Sequence, residues 1–276
     1  MLTSYRLAFL VLTMIIIFNR VRWILSAVGF FFMTTVAFAG HPLVTDDTCT
    51  QGKGNGQVEV GLAFFYDKDS VDEWTEVKKD GGDFTVVATV GLLDTVDAIV
   101  QLPYAWYSVK ENDNFIGRED GILDFTFDVK WRLLEKDGWS LAIKPGVSIP
   151  TGDDERALGV GHMSYRFFLV GTREWGPFAA HVNAGYARSE NVFEANKDLW
   201  HASAAFEVKV MESLKLMANA GIDRNPNPES ENHPAFLLGG IAYAVSERIT
   251  LDAGVKYGLS DTEINWTGLA GLTIRF

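Results

Sequence analysis

His162, Met163 and Ser164 form the first group in this chain that could do covalent chemistry. On a strand, side chains two positions apart project to the same side, so His162 and Ser164 could serve a hydrolase as base and nucleophile. A second candidate is "DKDSVDEW" at 67–74, where Asp67, Asp69, Asp72 and Glu73 gather carboxylates at near-alternate positions. The spacing hints at calcium, but the central glycine of a calcium loop is missing, so a solvated acidic surface is the simpler reading. The third pattern is the largest. In "LDFTFDVKWRLL" at 123–134, Leu123, Phe125, Phe127, Val129, Trp131 and Leu133 alternate with Asp124, Thr126, Asp128, Lys130 and Arg132. A helix would scatter those charges around its circumference, whereas a strand puts all of them on one face. Charges in a row on one strand face could line a passage, provided that face is the wet one.

The elements that must carry these residues are strands throughout. After Gly56 the alternation recurs in twelve candidate strands, 57–66, 83–92, 96–109, 121–134, 139–151, 161–174, 177–190, 198–211, 214–225, 235–246, 249–260 and 266–276. Short turns such as "EKDG" at 135–138 and "EWGP" at 174–177 alternate with longer acidic loops at 67–82, 110–120, 152–160, 191–197, 226–234 and 261–265. Hairpins joined in this way predict an up-and-down antiparallel sheet with its short turns at one end. The faces of 235–246 are too uniformly apolar to assign.

Alternation alone does not say which face meets solvent. Six tryptophans, 106, 131, 139, 175, 200 and 266, fall on the apolar face near strand ends, as aromatic girdles at two membrane–water interfaces do. The polar face mixes charges with Gly, Ala and Ser, which suits a crowded lumen. The chain ends on "GLAGLTIRF", whose alternating residues and terminal Phe276 resemble the signal by which outer-membrane barrels are delivered to the barrel-assembly machinery. The expected fold is therefore all-β, a transmembrane up-and-down antiparallel β-barrel of about twelve strands, apolar outside and polar within. A sheet in hydrocarbon has to close, because free edge groups cost several kcal/mol each.

Residues 1–39 carry only Arg6, Arg20 and Arg22 as charges and end in "AFA" before Gly40, which predicts a cleaved signal peptide, with translation starting at Met1 or Met14. Residues 40–56 then form a periplasmic segment, a possible plug, and 57–276 the barrel. The formal charge of −12, more negative still once the leader's arginines are gone, excludes a nucleic-acid partner. The expected partners are outer-membrane lipid and lipopolysaccharide, the assembly machinery through Phe276, and a small-molecule solute, with both termini periplasmic. Cys49 is the only cysteine and cannot staple the fold internally; no cofactor and no structural metal is expected.

The inward face collects Glu59, Asp97, Asp124, Asp128, Glu207, Asp223 and Asp252 against Lys130, Arg132, Lys144, Arg166, Lys209, Lys215, Lys256 and Arg275, with His181 and His201 among them. Acids and bases nearly cancel, which predicts ion-pair ladders between neighbouring strands rather than the single-sign constriction of an ion-selective pore. Twelve strands lie between barrels filled by side chains and those holding water channels, so the passage should be narrow and partly plugged. His162, Ser164 and Arg166 fall on this inward face, away from lipid where an acyl substrate would lie, and catalysis is not expected.

"HPLVTDDT", residues His41, Pro42, Leu43, Val44, Thr45, Asp46, Asp47 and Thr48, followed by Thr50, Gln51 and Gly52, resembles the opening motif of the outer-membrane channels named for the MetA pathway of phenol degradation. "SIPTGDDERALGVG" at 148–161 is similar to a Pro-Thr-Gly loop segment of that family. Cys49 stands where the family pattern has glycine. The resemblance implies a channel or transporter for small, often aromatic or apolar, compounds. The competing readings are a structural or adhesive barrel with a sealed lumen and, behind it, an outer-membrane hydrolase.

Overall fold

The computed structural model describes residues 41–72 and 74–276. They form one antiparallel sheet of thirteen strands in chain order: β1 (Gly56–Asp72), β2 (Thr75–Leu93), β3 (Val96–Glu111), β4 (Asn114–Ile122), β5 (Phe125–Lys136), β6 (Trp139–Ile149), β7 (Gly161–Trp175), β8 (Phe178–Asn191), β9 (Asp198–Met211), β10 (Leu214–Asp223), β11 (Ala235–Ala244), β12 (Ile249–Gly258) and β13 (Trp266–Arg275). Apart from β4 and β5, consecutive strands pair with each other, and β1 pairs with β13, which closes the barrel. Strands β4 and β5 both pair with β3 and are two halves of one stave broken at Leu123–Asp124, so the staves number twelve. Closure runs to the chain end: Gly56 N donates to the Phe276 carbonyl at 2.9 Å and Phe276 N returns the bond to Gly56 at 2.9 Å.

The barrel is polar inside and apolar outside. Along β5, Thr126, Asp128 and Lys130 are buried while Phe127, Trp131 and Leu133 are exposed. Trp131, Trp139 and Trp175 stand at the short-turn ends of their strands, Trp200 and Trp266 at the opposite ends, all exposed on the outer face. The uniformly apolar β11 resolves as well: Phe236 and Leu238 point inward and are buried, while Leu237, Ile241 and Tyr243 point out.

Two of the expected loops are strands. Residues 67–72 continue β1 and 75–82 begin β2, and Lys68 pairs with Glu76 at 2.6 Å, Lys78 with Glu76 at 3.0 Å and Lys79 with Asp67 at 3.8 Å. Cross-strand ion pairs hold the charge-rich stretch in register, and charge on both faces hid its alternation. The expected solvated acidic surface is corrected at Asp67, which is buried on β1, while Glu73 lies outside the described residues. Residues 110–120 likewise turn at Asn112–Asp113, whose φ angles of 48° and 65° make the two-residue hairpin turn favoured by strand twist. Leu123 is also corrected. The stave break turns it into the barrel, where it is 4% exposed, instead of onto the outer face.

Candidate functional site

Residues 41–51 lie inside the barrel. Polar atoms tie them to strands all around the wall: His41 Nδ1 to Asp252 on β12, Val44 N and Thr45 N to Asn219 Oδ1 on β10 at 2.7 and 3.0 Å, and Gln51 N to Asp97 on β3 at 3.0 Å. Thr48 N donates to Thr172 Oγ1 on β7 at 3.2 Å, and its hydroxyl meets that of Ser140 on β6. A backbone crossing a lumen needs partners for its N–H and C=O groups, and these strands supply them through inward polar side chains. Asn219, 2% exposed, also donates to Thr45 Oγ1 at 2.6 Å. With its amide oriented to satisfy donor and acceptor, Asn183 accepts from Asp46 N at 2.6 Å and donates to Asp46 O at 2.9 Å.

Small and apolar residues shape the groove. A Cβ at Gly61 would stand 3.0 Å from the His41 ring and one at Gly240 would stand 2.8 Å from the Pro42 ring, so only glycine lets the segment lie this close. Leu43 packs among Ala205, Met217, Phe236, Leu238 and Ala242, which accounts for the inward apolar residues of β11.

The electrostatic centre is Asp46. Its carboxylate accepts from Lys130 Nζ at 2.7 Å and Lys144 Nζ at 2.5 Å, with Asp46 and Lys144 only 1% and 2% exposed. Lys130 Nζ also donates to the Asp47 carbonyl at 3.1 Å. Burial alone would raise the Asp46 carboxyl, but the two ammonium groups hold it below the ordinary carboxylate value. Two residues on, the Asp47 carboxylate, aided by burial, pushes the Cys49 thiol up to about 12. Among the described residues neither lysine forms an ion pair with a neighbouring strand, which corrects the expected ladders: the central bases are neutralised by the segment. Elsewhere charges do pair across the wall, Arg166 with Asp128 through Nε at 2.7 Å, His201 with Asp223 at 2.7 Å, and Lys215 with Glu207 at 2.9 Å.

A second closure occupies the opposite mouth. Asp124, at the stave break, accepts Gly152 N and Val160 N, each at 2.9 Å, and so clasps both ends of the 152–160 loop. The loop carries Leu158 inward, where it is 1% exposed against Phe65, Tyr107, Val109 and Leu123. Arg156 pins its outer side through Glu119 at 2.7 Å and the Asp120 carbonyl at 3.0 Å. Between segment and loop lies a cavity of about 200 Å³, walled by Leu43 and Val44 on one side, by Leu123 and Val160 on the other, and by Arg166, His201 and Asp223 between them.

The other residues singled out from sequence distribute around this arrangement. Glu59, Asp97, Asp128, His181, Asp252 and Lys256 are buried; His181 Nδ1 meets Thr172 Oγ1 at 2.9 Å, and Lys256 Nζ donates to Glu263 at 2.9 Å. Arg132, Lys209 and Arg275 sit at the short-turn rim, where Lys209 pairs with Glu212 at 2.6 Å and Arg275 donates to Thr250 Oγ1 at 3.1 Å. His162 is exposed beside an irregularity of register between Gly161 and Ser164, so it does not share the inward face with Ser164, as its spacing suggested. Ser164 lies 3.5 Å from Ser189 instead. Asn219, Asn183 and Leu158 were missed. Asparagines and leucines carry no charge to mark them, and only the glycines facing the segment signalled that something crosses the lumen.

The two features that fill the lumen are the two stretches that carry the family resemblance. A family described as "Putative MetA-pathway of phenol degradation" matches residues 39–276. The chain belongs to this family. Among solved structures, an outer membrane channel of Pseudomonas putida F1 is 13% identical, covers 83% of this chain and 98% of its own, and superposes with a TM-score of 0.66. The translocator domain of the autotransporter NalP of Neisseria meningitidis is 14% identical over 82% of this chain and 90% of its own, with a TM-score of 0.52. The KdgM porin, solved with disordered oligogalacturonate, is 5% identical over 79% of this chain and 99% of its own, again at 0.52. At these identities the likeness is one of fold, that of outer-membrane β-barrels. No curated protein sequence matches the chain.

Proposed function

We propose that this member of the MetA-pathway family is an outer-membrane channel that passes small solutes through a lumen closed at both mouths. The supporting observation is how the 41–51 segment is held. Its anchor is an ionic clasp, Asp46 between Lys130 and Lys144, together with a handful of hydrogen bonds. A segment that only sealed the barrel would be served better by apolar packing, since a buried ion pair stabilises little relative to well-packed hydrocarbon. An ionic clasp is costly to break singly but releases into water, which suits a plug that moves. In this reading Glu59, Asp97, Asp128, Lys130, Lys144, Arg166, His181, His201 and Asp252 line the path. The short turns and both barrel termini face the periplasm, and the long hairpins face outward among lipopolysaccharide. Phe276, on the closing strand, is the contact offered to the barrel-assembly machinery. The class of solute is small and uncharged or weakly charged, because no ring of one sign crosses the lumen.

The experiment is solute entry into proteoliposomes holding purified protein, with uncharged solutes of increasing size. Entry faster than into protein-free vesicles, cut off at small size, is the expected result. No entry above that background would favour the sealed structural barrel, for which the buried Leu158 is the observation in hand.

A further inference from the structure

The segment and the outer closure are anchored on the same strand. Along β12 the inward positions run Asp252, Gly254 and Lys256. Asp252 holds His41, a Cβ at Gly254 would stand 3.2 Å from Pro42, and Lys256 Nζ donates to Glu263 at 2.9 Å. Glu263 belongs to the 259–265 turn between β12 and β13, at the outer mouth. Both members of that ion pair are buried, and the next residue, Ile264, lines the cavity and packs against the cluster that holds Leu158. The Phe236 ring joins the two systems. Leu43 of the segment packs in its cluster, and the Lys256 ammonium stands over the ring, 5.5 Å from its centroid. Contacts therefore run from the segment through Phe236 and Lys256 to Glu263, Ile264 and Leu158.

Opening the outer turn separates Glu263 from Lys256. While the segment is docked, this would strand an ammonium in a dry lumen without its counter-charge, which is the costly way to break a buried ion pair. Once the segment leaves, Leu43 no longer covers Phe236 and water reaches the pair. A hydrated ion pair is worth little, and each charge can then stand alone. We propose that Lys256, on its Phe236 floor, couples the two closures, so that undocking of the segment favours opening of the outer turn and opening of the turn favours undocking. The second half follows from the first, because coupling between two equilibria is reciprocal. This inference rests on the channel reading and deepens it, since a solute would then find both mouths released in one event.

The test is hydrogen exchange, read by mass spectrometry on the full chain in detergent micelles near neutral pH, which reports local opening. Its reporters are hydrogen-bonded amides: Val44 N and Thr45 N on Asn219 in the segment, and Leu259 N on the Ala235 carbonyl at 2.7 Å and Glu263 N on the Ser260 carbonyl at 3.0 Å in the turn. Asp46→Asn, which loosens the segment, should speed exchange in 259–265 at least about fivefold, the lower end of typical couplings. The remote β3–β4 turn at Asn112–Asp113 should not respond. Glu263→Gln, which weakens the outer pair, should speed exchange in 43–48. With Lys256→Met and Glu263→Gln together no charge is stranded on opening, and Asp46→Asn should then leave 259–265 unaffected. Folding of each variant is checked by the heat-dependent shift in gel mobility that barrels show. Unchanged exchange in 259–265 on Asp46→Asn, unchanged exchange in 43–48 on Glu263→Gln, or a response that persists in the charge-free background would overturn the coupling; should Asp46→Asn not fold, the Glu263→Gln arm decides it. Coupled exchange without solute entry into proteoliposomes would sink the channel reading alone, and solute entry with uncoupled exchange would sink this inference alone.

Discussion

Replacing Asp46 by asparagine tests the plug where its energy is concentrated. The substitution keeps the shape but removes the charge that accepts from Lys130 at 2.7 Å and Lys144 at 2.5 Å, leaving two ammonium groups in sites that are 7% and 2% exposed. Removing one partner of a buried ion pair costs about 3–5 kcal/mol, because the remaining charge stays desolvated. The lumen can admit water to the freed lysines, so the lower end, about 3 kcal/mol, applies to the docked state. At about 1.4 kcal/mol per factor of ten, that weakens docking roughly 150-fold. A plug docked all but about 0.1% of the time would then be out roughly a tenth of the time. The assay is single-channel recording in planar bilayers. Wild-type traces should be mostly closed with rare openings, and Asp46→Asn should open more often by about two orders of magnitude, at the same unitary conductance. Replacing both lysines by methionine in the Asp46→Asn background should largely restore closure, since no buried charge is then left over. Unchanged open probability in Asp46→Asn, with a correctly folded barrel, would refute the reasoning.

Three further expectations follow. Val129→Arg, on the outer face at mid-stave, should cost about 2–4 kcal/mol in reversible unfolding from lipid vesicles, as cations do at the bilayer midplane; a cost near zero would mean that this face is not in hydrocarbon. The Cys49 thiol, raised to about 12, should alkylate slowly at pH 8, and Asp47→Asn, by removing the largest cause, should speed alkylation; equal rates would show that Asp47 does not control the thiol. The lowered Asp46 carboxyl contributes stability that is present above the ordinary value of about 4 and lost as pH falls through its own lower value. Plug closure should therefore persist at pH 5 and weaken only well below pH 4, and a loss of closure already at pH 6 would point to another group.

Much of the fold was legible because alternation is a local signal. "LDFTFDVKWRLL" carries strand, faces and lumen charge in twelve residues, and the tryptophans marked which side was lipid. The stretch 67–82 was not legible, since charges on both faces erase a period of two, and only the partner strand shows that Lys68, Glu76 and Lys78 are a ladder. The inner site was read in half. Lys130 and Lys144 were recognisable as inward bases, but their partner, Asp46, lies 84 and 98 positions away in a segment with no periodicity at all. Nor could spacing show that His162 would leave the inward face, because the register irregularity at Gly161–Ser164 is set by pairing with β8.

Solute can pass only when the segment moves aside, and a reversible lock tests that directly. Thr45 and Asn219 touch through Asn219 Nδ2 and Thr45 Oγ1 at 2.6 Å, so cysteines at both positions, in a Cys49→Ser background, can join the segment to the wall. Solute entry into proteoliposomes is then measured before and after reduction. Entry should be abolished in the oxidised protein and return on reduction to the rate of the Cys49→Ser parent. Equal entry in both states would contradict the account, for solute would then be passing a plug that never leaves.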